Sequence, residues 1–327
     1  MKLGDIGELS IVDYINNKFL TNDDAVAVSI GDDAAVFKAK DMPMLVTTDT
    51  MVEGIHFDLS YATYFQVGFK LISINVSDIY AMNGEPAYLF LSLSFNPDTE
   101  YKDICSFLDG VKSAADMYKL SLLGGDTTAA VNGMVITATV LGYAKRPVTR
   151  AGAKVGDRMY VTGPLGSSAC GFELLKRVKK RVEPDRPENL GIPLTWDRVK
   201  SLFFSHLMPV ARKPFFENSS INSLMDLSDG LAIDLRRLCY KSGVGAVVYE
   251  NLLPMTDEMI EACKYLDIEP WKLALCGGED YELLLTSKEV LQGVYQIGEI
   301  IETGCFWVDA NNFKHEWPAC GYEHFKY

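Results

Sequence analysis

Histidine is scarce in this chain, and the cysteines follow no metal-binding spacing. The four histidines (residues 56, 206, 315 and 324) are scattered, and the seven cysteines include no Cys-x-x-Cys pair. We therefore expect no zinc site and no other histidine-rich metal site. An odd number of scattered cysteines is more typical of reduced thiols in a cytoplasm than of a disulfide framework, so we expect a cytoplasmic protein.

Positive charge and long apolar runs are also in short supply. The chain has 31 lysines and arginines against 44 aspartates and glutamates, which gives a formal net charge of −13. This balance argues against a general nucleic-acid surface or an anionic-membrane surface. No uncharged apolar run approaches ~18 residues, and the first residues carry no secretory signal, so we expect no nucleic-acid partner and no membrane partner.

The common catalytic signatures are missing as well. There is no Gly-x-Ser-x-Gly nucleophile turn, no His-Glu-x-x-His helix, no Walker A lysine and no protein-kinase motif set. The glycine-bearing turn at 163–169 precedes a predicted helix and could offer backbone N–H groups to an anion, but it matches no nucleotide-binding motif. Any kinase here would be of a type that does not depend on a P-loop lysine.

The chain is instead rich in aspartate at the ends of apolar runs. The recurring stretches are Gly31-Asp32-Asp33-Ala34, Thr47-Thr48-Asp49-Thr50, Ser77-Asp78, Gly124-Gly125-Asp126-Thr127-Thr128, Asp226-Leu227-Ser228-Asp229-Gly230 and Gly277-Gly278-Glu279-Asp280. One such stretch is ordinary turn chemistry. Their repetition indicates ligands for a hard cation, because carboxylate oxygens are what Mg²⁺ prefers and rigid elements hold such ligands well. Carboxylates with neighbouring hydroxyls suit phosphoryl transfer, in which metal ions offset phosphate charge.

Two of the candidate residues have structural interpretations that stay open at this point. Asn75 and Asp78 project together from a predicted helix at about 63–82, so Asp78 is either a metal ligand or the partner of a neighbouring side chain. His56 follows Asp49 closely in the chain, but a lone histidine is more often structural than catalytic.

The pattern of elements predicts an α/β (α+β) protein in two parts. The segment 144–154 is basic, carries proline and glycine and has no apolar period, so we interpret it as a linker. It contains Arg150, which is either a solvated hinge residue or an arginine aimed at phosphate. We therefore predict domains at 1–146 and 147–327. Residues 88–95 alternate as a strand, and we predict a helix at 287–293.

Taken in order, these stretches resemble the thiamine-monophosphate kinase family of the aminoimidazole-ribonucleotide-synthetase-like superfamily. The matching stretches are Gly31–Ala34, Thr48–Thr50 with Gly54-Ile55-His56-Phe57, Asn75–Ile79, Gly124–Thr128, Thr149–Ala153, Asp226–Gly230, Gly278–Glu282 and Gly321-Tyr322-Glu323-His324-Phe325. Each stretch is a weak signal, whereas the ordered set is specific and covers essentially the whole chain.

The resemblance implies a reaction and a set of site residues. The family transfers the γ-phosphoryl group of ATP to thiamine phosphate, giving ADP and thiamine diphosphate, the last step of thiamine diphosphate biosynthesis. The implied Mg²⁺ ligands are Asp33, Thr47, Thr48, Asp49, Asp78, Asp126, Asp226 and Asp229. The implied ATP contacts are Gly125, Asp126, Arg150 and Ser228, and the implied thiamine phosphate contacts are His56, Glu279 and Tyr322. Asp126, Asp229 and Arg150 are the residues expected to act in catalysis, with K⁺ as a further candidate cation.

The family fold also implies an arrangement of the two domains. An N-terminal domain binds ATP and Mg²⁺ and forms a homodimer through its sheet, and it is followed by a C-terminal α/β domain. The assigned roles make physical sense, because a thiazolium cation suits the carboxylate of Glu279 and the aromatic face of Tyr322. A phosphate oxygen is already ionised near neutral pH, so direct in-line transfer needs no general base.

Two alternatives remain at the level of sequence. The first is another ATP-dependent enzyme of the same superfamily, such as aminoimidazole ribonucleotide synthetase or selenophosphate synthetase. The reactive cysteine and glycine-loop lysine typical of the latter have no counterpart here, since the first cysteine is Cys105. The second is a non-catalytic acidic protein that binds a divalent metal, although no EF-hand loop is present.

Overall fold

The computed structural model describes residues 2–6, 8–21, 23–30, 34–183, 190–213 and 221–324 of the 327-residue chain. Helices and sheets are mixed throughout, which confirms the predicted α/β class. The backbone separates into two compact units, whose bounds are given by segments. The first unit is Met1–Ile79, Gly84–Lys145 and Arg181–Glu183, and the second is Tyr80–Asn83, Arg146–Lys180 and Pro184–Tyr327. The assignment of separate roles to domains 1–146 and 147–327 stays a prediction.

The first unit is built on a four-stranded sheet. Its elements are α1 (Leu3–Ile6), α2 (Glu8–Lys18), β1 (Val26–Val28), β2 (Val36–Phe37), β3 (Met44–Val52), α3 (Tyr64–Ala81), β4 (Glu85–Phe95), α4 (Tyr101–Tyr118), β5 (Ser121–Ala129) and β6 (Val135–Tyr143). The strand order is β3-β6-β4-β5, in which β4 and β5 are parallel and the other pairs are antiparallel. Strands β1 and β2 form a separate antiparallel pair.

Apolar periodicity explains the core of the first unit. Along β4 the predicted alternation is confirmed, because Leu89, Leu91, Leu93 and Phe95 are all buried. Helix α3 is apolar on most of its surface and is buried over nearly its whole length, as expected for a helix that lies in a core. The polar side chains that α3 does bury are therefore ones that need partners inside the protein.

The second unit is built on a seven-stranded sheet. Its elements are β7 (Arg158–Val161), α5 (Ser167–Val178), α6 (Trp196–Leu207), β8 (Ser223–Asp226), α7 (Leu231–Ser242), β9 (Gly245–Tyr249), α8 (Asp257–Leu266), α9 (Pro270–Cys276), β10 (Leu283–Ser287), β11 (Tyr295–Ile301), β12 (Cys305–Val308) and β13 (Lys314–Glu316). The strand order is β13-β12-β9-β11-β7-β10-β8, and only the β9–β12 pair among these is parallel. Strand β8 lies at one edge and leads directly into the loop before α7.

The predicted helix at 287–293 is wrong. Strand β10 runs to Ser287, and β11 begins at Tyr295 after a short connection. The Ser287 hydroxyl accepts the Glu289 N–H at 3.0 Å, and the Tyr160 hydroxyl donates to the Glu289 carbonyl at 3.0 Å. A distant tyrosine thus satisfies backbone groups that a helix would have paired internally, so local periodicity does not decide this segment.

The expectation that all cysteines are reduced is also wrong. Cys276, at the end of α9, forms a disulfide with Cys320, 44 residues further on. The other five cysteines are thiols. Pairing at this distance cannot be deduced from sequence spacing, because it depends on which segments the fold brings together. Among the helices in the described residues, none is long and apolar enough to cross a membrane.

Candidate functional site

Strand β3 and helix α3 bring three of the predicted metal ligands together. The Thr47 hydroxyl donates to Oδ2 of Asp78 at 2.5 Å. The Asp49 N–H donates to Oδ1 of Asn75 at 3.1 Å, and Asn75 in turn donates to the Leu71 carbonyl at 2.9 Å. Asn75 is fully buried, so it ties β3 to the helix that carries Asp78. The prediction that Asn75 and Asp78 project together from this helix agrees with these contacts.

Thr48 does not join this group. Successive side chains of a strand point to opposite faces, so Thr48 faces away from the side of β3 that meets α3. Its hydroxyl donates to the Ala138 carbonyl at 3.2 Å and accepts from Thr139 at 3.0 Å on the neighbouring strand β6. A role in metal binding would therefore require its side chain or its backbone to act from the opposite face.

Gly125 and Asp126 lie on β5, at the other edge of the same sheet. Three strand spacings separate β5 from β3, which corresponds to roughly 14 Å. A Cβ at Gly125 would lie 2.0 Å from the Leu91 carbonyl oxygen, so only glycine permits this approach of β5 to β4. A cavity of about 130 Å³ lies here, lined by Gly125, Asp126 and Thr127 together with apolar residues that include Val12 and Ile15 of α2.

His56 lies in a turn that follows β3. Its Nδ1 accepts the Val52 N–H at 3.1 Å, and its own backbone N–H donates to the Val52 carbonyl at 2.9 Å. Because Nδ1 acts as an acceptor, the neutral ring carries its proton on Nε2. The imidazole is thus oriented by the backbone and has a donor at the opposite nitrogen.

In the second unit, the end of β8 and the loop that leads to α7 carry three predicted residues. Asp226 is the last residue of β8 and is buried, and Ser228 and Asp229 follow it. The Asp229 carboxylate is paired with Arg237, with Nη1 and Oδ2 2.5 Å apart, and the Asp229 N–H donates to Asp234 at 3.0 Å. Burial raises the pKa of Asp234 to about 6, Asp229 adds to the shift, and Arg237 opposes it. A metal ion at Asp229 would therefore compete with the Arg237 guanidinium.

The segment 277–281 holds Glu279 in a strained backbone. Glu279 and Tyr281 both have positive φ, +66° and +50°, in the region that normally favours glycine. Their N–H groups donate to the carbonyls of Ser228 and Leu227 at 2.7 and 2.9 Å. A Cβ at Gly278 would lie 2.7 Å from the Ser228 carbonyl oxygen. Strain of this kind persists only where neighbouring contacts enforce it, and it is concentrated at functional sites.

Asp280 and Glu282 connect this segment to neighbouring elements through their carboxylates. The Asp280 carboxylate accepts N–H groups of Gly166 and Ser168, at the start of α5. Burial raises the pKa of Asp280 to about 8, with Glu282 and Glu279 adding to the shift. The Glu282 carboxylate contacts Arg212 Nε at 2.9 Å and the Thr162 hydroxyl at 2.6 Å, and burial raises its pKa.

Tyr322 is brought to the same region by the chain end. Its backbone N–H donates to the Asp229 carbonyl at 3.0 Å, and the disulfide fastens Cys320 to the residue before Gly277. The Tyr322 ring is about half exposed, and its hydroxyl lies 3.2 Å from Nδ1 of His324. The segments that carry Asp229, Glu279 and Tyr322 are therefore adjacent to one another.

Arg150 lies elsewhere in the second unit. Its carbonyl accepts from the hydroxyl of Ser242, the last residue of α7, whereas Ser228 and Asp229 precede the first residue of that helix. A helix of 12 residues spans about 18 Å, so the backbone of Arg150 is at the opposite end of α7. Its side chain is exposed.

The sequence did not point to several residues that contact this set. Arg237 pairs with Asp229, His206 pairs with Glu279, and Arg212 pairs with Glu282. The one available signal was Glu282, which belongs to the Gly278–Glu282 stretch. The remaining predicted ligand, Asp33, lies outside the described residues. Within the part of the chain that is described, no three His, Cys, Asp or Glu side chains meet as a ready metal site.

Known proteins similar to this chain point to one family. Residues 31–144 match the family model described as AIR synthase related protein, N-terminal domain. The thiamine-monophosphate kinase of Aquifex aeolicus is 33% identical over 99% of this chain and 100% of its own length. The thiamine-monophosphate kinase of Escherichia coli K12 is 32% identical over 98% of both chains.

A solved structure agrees with these sequence similarities. The structure described as AaThiL complexed with AMPPCP and TMP has a TM-score of 0.77 to this chain at 32% identity. The match covers 99% of this chain and 99% of that one. The similarity therefore extends over both units and not only over the residues matched by the family model.

Proposed function

The chain belongs to the thiamine-monophosphate kinase family, and on that premise we propose that it transfers the γ-phosphoryl group of ATP to thiamine phosphate. The products are ADP and thiamine diphosphate. The observation that carries the proposal is the similarity to named thiamine-monophosphate kinases over nearly the whole chain. The structure described with AMPPCP and TMP supports a site for a nucleotide and for the phosphorylated acceptor.

The oxygen-rich residues of this chain fit Mg²⁺. Thr47, Asp49 and Asp78 lie together at β3 and α3, and every donor they offer is an oxygen. Mg²⁺ usually takes one or two protein carboxylates and completes its shell with water and substrate phosphates, so a ready three-carboxylate cluster is not required. When bound, Mg²⁺ offsets the negative charge of the phosphates. The residues that would hold it are Asp33, Thr47, Thr48, Asp49, Asp78, Asp126, Asp226 and Asp229.

The first unit supplies residues suited to a nucleotide. Gly125 and Asp126 line the cavity at β5, where the missing side chain of Gly125 lets β5 approach β4 closely. We further assign to ATP two residues of the second unit, Arg150 and Ser228, whose backbones lie at opposite ends of α7. The exposed guanidinium of Arg150 is suited to a phosphate. Asp126, Asp229 and Arg150 are the residues to which we assign catalysis.

The acceptor is assigned to His56, Glu279 and Tyr322. His56 presents Nε2–H in its neutral form, a donor suited to a phosphate oxygen. Glu279 offers a carboxylate and Tyr322 an exposed ring, both suited to the thiazolium cation. The attacking phosphate oxygen is already ionised, so these residues orient the acceptor and no side chain has to remove a proton.

We further propose a homodimer formed through the four-stranded sheet, in the cytoplasm. Met44 and Val46 of the edge strand β3 are 48% and 59% exposed, which suits burial against a second copy. Light scattering that gives the mass of one chain would contradict the dimer. The Cys276–Cys320 disulfide is unusual for a cytoplasmic protein. A count of the free thiols of the protein without reductant therefore also tests the proposed cytoplasmic location.

The activity test is direct. Purified protein is incubated with MgATP, K⁺ and thiamine phosphate, and the products are followed by phosphorus NMR. Equimolar ADP and thiamine diphosphate are expected. ATP consumption without thiamine diphosphate would point to another substrate of the superfamily, and no turnover by folded protein would favour a metal-binding protein. Inversion at a chiral γ-phosphorus is expected for direct in-line transfer, and retention would contradict it.

A further inference from the structure

The Glu279 carboxylate is held by a buried histidine to which the reaction assigns no role. Nδ1 of His206 lies 3.0 Å from Oε2 of Glu279. The His206 side chain is 7% exposed, whereas that of Glu279 is 29% exposed. His206 is the penultimate residue of α6, so a residue inside the helical layer reaches a carboxylate that is open to the surface.

The imidazole of His206 is itself fixed by helix α5. Its ring stacks on Phe172, with centroids 4.8 Å apart and planes 24° apart. The Ser168 hydroxyl oxygen lies 3.3 Å from the same Nδ1. The ring cannot rotate without losing the stacking or the polar contacts, so the direction in which Nδ1 points is set by the fold.

Glu279 needs such a partner because its backbone contacts do not fix its side chain. The hydrogen bond from its N–H to Ser228 holds only the main chain, in a left-handed conformation. A glutamate side chain loses rotamer entropy when it is ordered, and this loss opposes binding. The contact with His206 orders the carboxylate before any ligand arrives.

We propose that His206 is a positioning residue that holds the Glu279 carboxylate ready for the cationic thiazolium ring of thiamine phosphate. The inference rests on the proposed function, in which Glu279 contacts that substrate. Pre-ordering a binding group removes part of the entropy cost of binding, so His206 contributes to the affinity for thiamine phosphate. It does not contribute to the affinity for ATP. If His206 had a purely structural role, its substitution would lower the stability of the protein and change the affinities for ATP and thiamine phosphate alike.

Paired substitutions of His206 test the proposal. His206→Leu keeps the apolar volume but removes the donor, whereas His206→Asn places an amide nitrogen close to the position of Nδ1. For His206→Leu we expect the KM for thiamine phosphate to rise about tenfold, by analogy with residues that orient metal ligands through a hydrogen bond. The KM for ATP and kcat should change little, and His206→Asn should restore most of the affinity. Calorimetric binding of thiamine phosphate, without ATP, gives a readout independent of turnover.

The controls separate this inference from the proposed function. His315→Leu removes an exposed histidine that pairs with Asp309, and it should leave both KM values unchanged. If His206→Leu does not fold, Phe172→Leu keeps the imidazole but removes its stacking partner, together with the contact of Lys176 on that ring, and should raise the KM for thiamine phosphate about threefold. If the wild type is active, an unchanged KM for thiamine phosphate in the His206 and Phe172 variants overturns the role of His206. A rise of both KM values together overturns it as well. An inactive wild type overturns the proposed function and this inference with it.

Discussion

In the first unit, Thr47, Asp49 and Asp126 lie inside regular strands, whereas in the second unit Ser228, Asp229 and Glu279 lie in loops between elements. A strand fixes the direction of each side chain through its hydrogen-bonded neighbours. The loops of the second unit are instead held in place by residues with left-handed backbone conformation, by ion pairs and by a disulfide. The difference teaches that the same chemistry can rest on local geometry in one part of a chain and on tertiary contacts in another.

The largest effect is expected at the strand position that both the nucleotide and the metal assignments share. Asp126→Asn removes a charge while keeping the shape of the side chain. We expect kcat to fall by about 10²–10³-fold with the fold intact, a loss typical of removing one electrostatic contact to a reacting group. Steady-state kinetics and circular dichroism measure the two properties. Asp116→Asn, at an exposed position of α4, is the control, and an unchanged rate in Asp126→Asn would count against the catalytic metal site.

Among the contacts that hold the loops of the second unit, we expect the disulfide to stabilise the protein most. Cys320→Ser should lower the free energy of unfolding by about 2–4 kcal/mol, because the bond closes a long loop in the unfolded chain. Urea unfolding measures this change, with Cys105→Ser of the first unit as the control. Thiol titration of the unfolded protein should find five thiols without reductant and seven with it. Seven thiols in both conditions would show that the pair is not bonded.

Two neighbouring glycines test how closely the strands of the first unit approach. A Cβ at Gly125 would lie 2.0 Å from the Leu91 carbonyl oxygen, whereas one at Gly124 would lie 3.5 Å from the Phe90 ring. Gly125→Ala should therefore destabilise the protein by about 1–3 kcal/mol, and Gly124→Ala should not. The midpoints of urea unfolding of the two variants measure this difference in stability. Equal midpoints in the two variants would show that β4 and β5 adjust freely.

Stability is also expected to depend on pH through Asp280. Burial raises the pKa of this carboxyl from 3.8 to about 8, so the folded protein keeps a proton that the unfolded chain releases. This contribution is complete below pH 3.8 and is lost as the pH rises through about 8.

Asp280→Asn cannot ionise and should lack this trend. We expect the Tm of Asp280→Asn to rise relative to that of the wild type as the pH increases from about 5 to about 9. Scanning fluorimetry across this range measures the difference. Asp197→Asn, at an exposed position of α6, is the comparison variant. A constant difference between Asp280→Asn and the wild type would mean that Asp280 stays charged in the folded protein.

Much of the first unit could be predicted from sequence because its signals are local. Alternating residues identified β4, and helical spacing predicted that Asn75 and Asp78 project together from α3. The structure then places both beside β3. The orientation of Thr48 could also have been read from alternation, since Thr47 and Asp49 flank it on the opposite face. What local signals could not show is the strand order, which separates Asp126 from Asp49 by the width of the sheet.

The sequence by itself determined the α/β class, the recurring oxygen-rich stretches and the resemblance to a kinase family, because these depend on residue types and their order. Only the tertiary structure decided that Cys276 bonds to Cys320, that Tyr160 hydrogen-bonds the Glu289 carbonyl in a segment predicted as a helix, and that His206 contacts Glu279. Each of these contacts joins residues at least 44 positions apart. Such pairings depend on how the elements pack, which no local pattern of apolar or charged residues specifies.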